Sequence, residues 1–113
     1  MAPTTLLGEK TTTSPYGRSA EVNGNPIHVS EMLATLTGPS LIARVSVHDV
    51  PNVLNAKKLI KRAFDNQKEG KGFSLIEVLS TCPTNWGRSP AEALKFVKVR
   101  MVEEYPLGIY KEV

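Results

Sequence analysis

The single cysteine and one of the two histidines stand where chemistry is most often found. Cys82 lies in the loop Ser80-Thr81-Cys82-Pro83-Thr84-Asn85-Trp86-Gly87, just after an apolar run, and His48 follows an earlier apolar run. A thiol beside an imidazole can act as an activated nucleophile, or give two ligands to a metal. Two ligands do not complete a zinc site, and no third residue is specified to orient the imidazole. The competing reading is structural, because a lone cysteine after a hydrophobic strand behaves as a small buried residue. Trp86 is either a binding anchor or a plug at the end of the core. Thr84 and Asn85 either satisfy loop backbone groups or contact a polar ligand. His28 precedes a helical pattern and reads as a local hydrogen-bonding or capping residue.

Charge adds little chemistry of its own. Glu77 is the one carboxylate inside an apolar run, and its preferred partner is Arg44 on the neighbouring run. Lys57, Lys58, Lys61 and Arg62 place like charges four residues apart, which mildly disfavours a helix. They read as the solvated outer face of a crossover helix, with docking of an acidic protein as the other use. Neither Gly-x-Gly-x-x-Gly nor a Walker A sequence occurs, and Gly70-Lys71-Gly72 reads as a helix terminator. Lys plus Arg number 14 against 11 Asp plus Glu, a surplus of only three over 113 residues. Although the isoelectric point is 9.1, aromatics are 6% and form no basic stripe, so nucleic acid is not an expected partner. One cysteine excludes an intramolecular disulfide and suits a reducing compartment. No apolar run approaches the roughly 20 residues of a membrane span. A basic start followed by an apolar stretch is also absent, so the expectation is a cytoplasmic protein that does not engage a membrane.

These side chains need elements to position them. Residues 1–26 read as an irregular segment, with five threonines, Pro3, Pro15 and Pro26, and the turn tetrads Ser14-Pro15-Tyr16-Gly17 and Asn23-Gly24-Asn25-Pro26. Residues 27–113 read as an α/β half-domain. Val29, Met32, Leu33 and Leu36 predict a helix over 29–37, and Leu41 to Val47 a buried strand over 41–47. Val53, Ala56, Leu59, Ile60, Ala63 and Phe64 trace one face of a helix over 52–69. Phe73 to Leu79 gives a strand over 73–79. Ser89-Pro90-Ala91-Glu92 is a capping box that opens a helix over 90–104, closed by Pro106 and Gly108. The order predicts an α/β fold, a partial parallel sheet with a β-α-β crossover. Ligands of such sheets bind beyond the carboxyl ends of the strands, which gathers His48, Cys82, Thr84, Asn85 and Trp86 at one crevice. Two strands are too few to close a sheet, so the chain reads as part of a larger domain or one that needs a partner, and an oligomer is expected.

The stretch Gly72-Phe-Ser-Leu-Ile-Glu-Val-Leu-Ser-Thr-Cys-Pro-Thr-Asn-Trp-Gly-Arg-Ser-Pro carries a resemblance. With Tyr105-Pro-Leu-Gly-Ile-Tyr110, Pro26 to Leu36 and Ala43 to His48, it resembles the β subunit of 2-oxoacid:ferredoxin oxidoreductases, of the 2-oxoglutarate or 2-oxoisovalerate type. Met1-Ala-Pro-Thr-Thr-Leu resembles the segment that follows that family's Thr-Gly-Gly-Gln cofactor loop. The resemblance therefore implies the C-terminal half of a thiamine diphosphate-binding domain, with Thr4 and Thr5 as its cofactor-binding residues. It implies oxidative decarboxylation of a 2-oxoacid to an acyl-CoA. Coenzyme A, ferredoxin and other oxidoreductase subunits are the implied partners, with iron–sulfur clusters in partner subunits. The family's Gly-Asp-Gly-Asp stretch, which holds Mg²⁺, has no counterpart here. The expectation is therefore that this chain alone binds neither Mg²⁺ nor the cofactor, contributes no catalytic acid or base, and is inactive by itself. A non-catalytic α/β protein-interaction module is the alternative reading.

Overall fold

Leu41–Ser46 has no exposed side chain at any of its six positions, which requires cover on both faces and a neighbour at both edges. In the computed structural model, which describes residues 1–113, this segment is β1, the middle strand of three. On one side it pairs in parallel with β2 (Ser74–Leu79), from Leu41 opposite Ser74 to Ser46 opposite Leu79. On the other it pairs antiparallel with β3 (Gly108–Glu112), the register shifting between Ile42 and Ala43. The α/β class and the parallel pair are as the sequence predicts. The third strand is an addition that makes the sheet mixed. Pro106 and Gly108 end the preceding helix as expected, yet the five residues after Leu107 are extended and complete the other edge of β1.

Strand alternation divides the core. Ala43 and Val45 face α3 (Val50–Lys68), which covers them with Ala56 and Leu59 while Ile76 packs alongside. This helix begins before residue 52, because the Asp49 carboxylate accepts from Asn52 N at 2.9 Å and Pro51 is tolerated in a first turn. The basic residues lie outside as predicted, Lys61 paired with Asp65 and Arg62 with Glu112. A second cluster joins Leu6, Leu79, Phe96, Val97 and Tyr105, with Trp86 and Met101 against it. Fully burying each large aliphatic or aromatic side chain stabilises by about 1.5–3 kcal/mol.

The helix expected over 29–37 is shorter, α2 (Val29–Leu33). Thr35 Oγ1 donates to Met32 O, and Leu36 N reaches Leu33 O, so the chain closes in tight turns before Gly38 and Pro39. Its buried residue is also polar: Ser30 is enclosed while Met32 and Leu36 face solvent. The helix expected over 90–104 runs as α5 (Pro90–Phe96), a π turn (Val97–Met101) and α6 (Val102–Glu104). Its capping box forms, with Ser89 Oγ accepting from Glu92 N and donating to Glu92 Oε1. Two four-residue helices lie in stretches expected to be irregular, α1 (Ala20–Asn23) and α4 (Pro83–Trp86). No helix is long and apolar enough to cross a membrane.

Arg44 sits on the middle strand with its side chain wholly buried. Its Nε donates to Glu77 Oε2 at 2.9 Å, confirming the expected pair, and Nη2 reaches Glu31 of α2. Nη1 donates to Tyr110 Oη at 2.8 Å, and the guanidinium lies about 5 Å from the rings of Tyr105 (4.9 Å) and Tyr110 (5.0 Å). Burial alone would favour loss of its proton, but hydrogen bonds to Glu31 and Glu77 outweigh that and hold the charge more firmly than usual. Arg44→Met should destabilise the chain by about 3–5 kcal/mol, since it strands two carboxylates. Adding Glu31→Gln and Glu77→Gln should recover part of that loss. Urea unfolding of the four proteins checks both, and full stability in Arg44→Met alone would refute the assignment.

The outer edge of β2 has no strand beside it, and Phe64, Ile60 and Ile76 line a depression of about 270 Å³ next to it. An open edge beside apolar surface pairs readily with another chain. Sedimentation of the isolated chain should show mass rising with concentration, and Val78→Lys on that edge should shift it toward monomer.

Candidate functional site

The largest cavity, about 460 Å³, runs along that same edge. Its floor is β2 from Leu75 to Leu79, continued by Ser80, and its walls come from four other parts of the chain. The N-terminal segment gives Thr4, Thr5 and Glu9, the loop after β2 gives Cys82 and Trp86, and Val29 and Met101 add apolar surface. A largely apolar lining with a few hydroxyls, a carboxylate and a thiol is the composition that small-molecule sites share, which makes this cavity the candidate site.

Residues 1–26 can form a wall because a second arginine organises them. Arg18 is 7% exposed and donates to six backbone carbonyls, those of Ala2, Pro3, Thr5, Asn23, Gly24 and Asn25. One fork thus satisfies groups that no helix or strand would pair. The segment is then pinned to the body: Tyr105 Oη donates to Ile27 O at 3.1 Å, and Thr12 N donates to Asn85 O at 3.0 Å. Glu9 Oε1 accepts from Leu6 N, while its Oε2 is the one buried side-chain polar atom without a partner. The wall around Thr4 and Thr5 therefore has acceptor capacity to spare.

The candidate residues separate into two groups. Thr4, Thr5, Cys82 and Trp86 share the large cavity. Cys82 is a half-buried free thiol on the wall and not a sealed core residue, so it is open to whatever enters. Trp86 combines both roles open to it, packing on Phe96 at 5.1 Å while lining the cavity. Thr84 and Asn85 are exposed and lie off the cavity, where the Asn85 carbonyl and side chain both hold Thr12. His48 lines a separate cavity of about 50 Å³ with Ser80 and Thr81. There its Nδ1 bonds Ser46 Oγ, and its Nε2 lies 3.3 Å from Asp49 Oδ2. The serine of this trio is fully buried and the cavity too small for a substrate, so it secures the turn from β1 into α3. Asn52 holds the Asp49 carboxyl below the usual carboxylate range by a backbone and then a side-chain hydrogen bond. His28 stands at the start of α2, but its ring makes no capping hydrogen bond; it bonds Glu104, 76 positions away, lies 3.4 Å from Glu31 and is set edge-on to Tyr105.

Arg18, Glu9, Ser46 and Tyr105 are the residues of this region that sequence reasoning passed over. Only Arg18 carried a signal, as the one arginine in a segment rich in turn formers and threonines. No group of three His, Cys, Asp or Glu side chains is placed to hold a metal ion.

Comparison with known proteins decides the family. The chain is 43% identical over 112 residues to "Ketoisovalerate oxidoreductase subunit VorA" of Methanothermobacter marburgensis, covering 99% of this chain and 23% of that protein. It is 38% identical over 104 residues to "2-oxoglutarate synthase subunit KorB" of Methanocaldococcus jannaschii, covering 87% of this chain and 34% of that protein. The corresponding subunit of Archaeoglobus fulgidus is 35% identical over 98 residues. This chain belongs to the 2-oxoacid oxidoreductase subunits. It spans about a quarter to a third of the length of these relatives, matching their C-terminal part. No protein-family model and no solved structure matches it.

Tyr105 joins both halves of the wall, and burial pushes its hydroxyl up to about 12 from the ordinary 10.0. A folded-state value above the unfolded one gives stability that is complete below pH 10 and is lost as the pH rises from about 10 to about 12. Thermal melts across that range should show the loss, and Tyr105→Phe should flatten it while lowering neutral-pH stability by about 1 kcal/mol. An unchanged alkaline limb in Tyr105→Phe would place the effect elsewhere.

Proposed function

We propose that this chain forms one wall of the thiamine diphosphate site in a 2-oxoacid:ferredoxin oxidoreductase. The complete enzyme would convert a 2-oxoacid and coenzyme A into an acyl-CoA and CO₂, with two electrons leaving to ferredoxin through iron–sulfur clusters. The observation that carries this reading is the 43% identity to a ketoisovalerate oxidoreductase subunit over nearly the whole chain, cavity-lining segments included. Thiamine diphosphate supplies the carbanion chemistry when bound. The Mg²⁺ that accompanies it needs an oxygen cage, which the rest of the subunit would supply. This chain's share is the wall: Thr4 and Thr5 offer hydroxyls beside the cofactor, while Leu75, Leu79, Trp86 and Met101 exclude water. The rest of the subunit lies along the open edge of β2, where it would close the cavity and bring the cage. The sequence favours neither a branched 2-oxoacid nor 2-oxoglutarate, since relatives named for each align with it.

The assembled oxidoreductase tests the reading. Thr5→Val should raise the thiamine diphosphate concentration needed for half-maximal turnover by about tenfold, the worth of one hydrogen bond to a charged group. With cofactor in excess, 2-oxoacid-dependent reduction of ferredoxin should recover. Calorimetry on the 113-residue chain alone should show no micromolar, Mg²⁺-dependent binding of thiamine diphosphate, and such binding would mean that the chain holds a complete site.

A further inference from the structure

A second concave surface lies apart from the cavity on β2, on the exposed side of α5 and the π turn. It is a depression of about 340 Å³ lined by Arg88, Glu92, Lys95, Phe96, Val99 and Arg100. Every other arginine in the chain is engaged: Arg18 by six carbonyls, Arg44 by two carboxylates, Arg62 by Glu112. Arg88, Lys95, Lys98 and Arg100 have no carboxylate within 4.0 Å. The only acid on the rim, Glu92, is turned to the helix start by its bond from Ser89 Oγ.

Arg88 is also held in place. Its guanidinium lies 4.5 Å from the centroid of Phe96, a ring that is 7% exposed and packed on Trp86. A guanidinium laid on an aromatic face gives up little freedom on binding and keeps its outer N–H groups free. Arg100 comes from the π turn, where the helix takes an extra residue, a distortion frequent at functional positions. Two unpaired guanidiniums and an ammonium around a small concave surface suit a compact, multiply charged oxyanion better than a broad acidic protein face.

We propose that this depression binds the phosphate groups of a small molecule, a diphosphate or phosphate ester, with Arg88 and Arg100 as forked donors and Lys95 as a point charge. The site is independent of the thiamine reading, since it shares no residue with the cavity on β2 except through the Trp86–Phe96 contact.

The test is titration of the 113-residue chain with inorganic pyrophosphate, inorganic phosphate and citrate at one ionic strength, followed by calorimetry and amide NMR. Saturable pyrophosphate binding should perturb amides between residues 88 and 100. Affinity should exceed that for inorganic phosphate and citrate by about tenfold, as bidentate recognition of a second phosphoryl group requires. Arg88→Gln and Arg100→Gln should each weaken it by about tenfold, while Lys57→Gln/Lys58→Gln on α3 should leave it unchanged. Should either arginine variant fail to fold, the amide map of the unaltered chain still decides. Absence of saturable binding would overturn the proposal, as would amide shifts centred on Lys57 to Arg62 or equal loss in the lysine variant. Citrate binding as tight as pyrophosphate would do so too, pointing to a surface for protein carboxylates.

Discussion

A permanently charged guanidinium in the middle of a sheet has to be answered from every direction at once. Arg44 cannot shed its proton and cannot reach water, so each neighbouring element is placed to meet it. The adjacent strand supplies Glu77, α2 supplies Glu31, β3 supplies Tyr110, and Tyr105 lies over the plane. Ser30 completes the arrangement by donating to Glu77 Oε1 at 2.8 Å. Helix α2, five residues long and with an exposed Met32, has almost no apolar reason to dock where it does. Its position follows from the charge. Hydrophobic replacements of buried ion networks are often no less stable, so what this one secures is a single arrangement of four elements.

That explains which parts of the fold were legible in the residues. Strands β1 and β2 and the long helix α3 announce themselves through apolar periodicity, and the capping box at Ser89 through its residue types. The Arg44–Glu77 pair was readable because two opposite charges inside adjacent apolar runs have few other options. What escaped was decided by polar contacts between distant residues. Strand β3 hides behind Pro106 and Gly108, and is extended because β1 needs a second neighbour. Residues 29–37 carry an apolar stripe of which the structure leaves Met32 and Leu36 in solvent, because Glu31 and Ser30 are the residues that bind the Arg44 network. Phe64 and Ile60 stay exposed for a different reason, as the sheet does not extend far enough to cover them.

The site divides along the same line. Thr4, Thr5, Cys82 and Trp86 meet in one cavity, although 78 positions of sequence separate Thr4 from Cys82. The strand-end rule correctly brought His48 beside Ser80 and Thr81, but it could not say that Ser46 would occupy the imidazole. Nor could it foresee that Asn85 would be spent on Thr12. Periodicity carries no information about Arg18, whose six acceptors are all backbone carbonyls.

The hydroxyl of Tyr105 joined to the carbonyl of Ile27, and Leu6 packed beside Tyr105 itself, mean that the first and last parts of the chain share one core. The contact from Tyr105 to Ile27 spans 78 positions, so this core is closed over a long stretch of sequence. Long-range closures of this kind are slow, and they leave apolar surface uncovered while they wait. Until Tyr105 docks, the cavity wall built from residues 1–26 has no anchor in the core, which makes that one aromatic side chain the latch between sheet and wall.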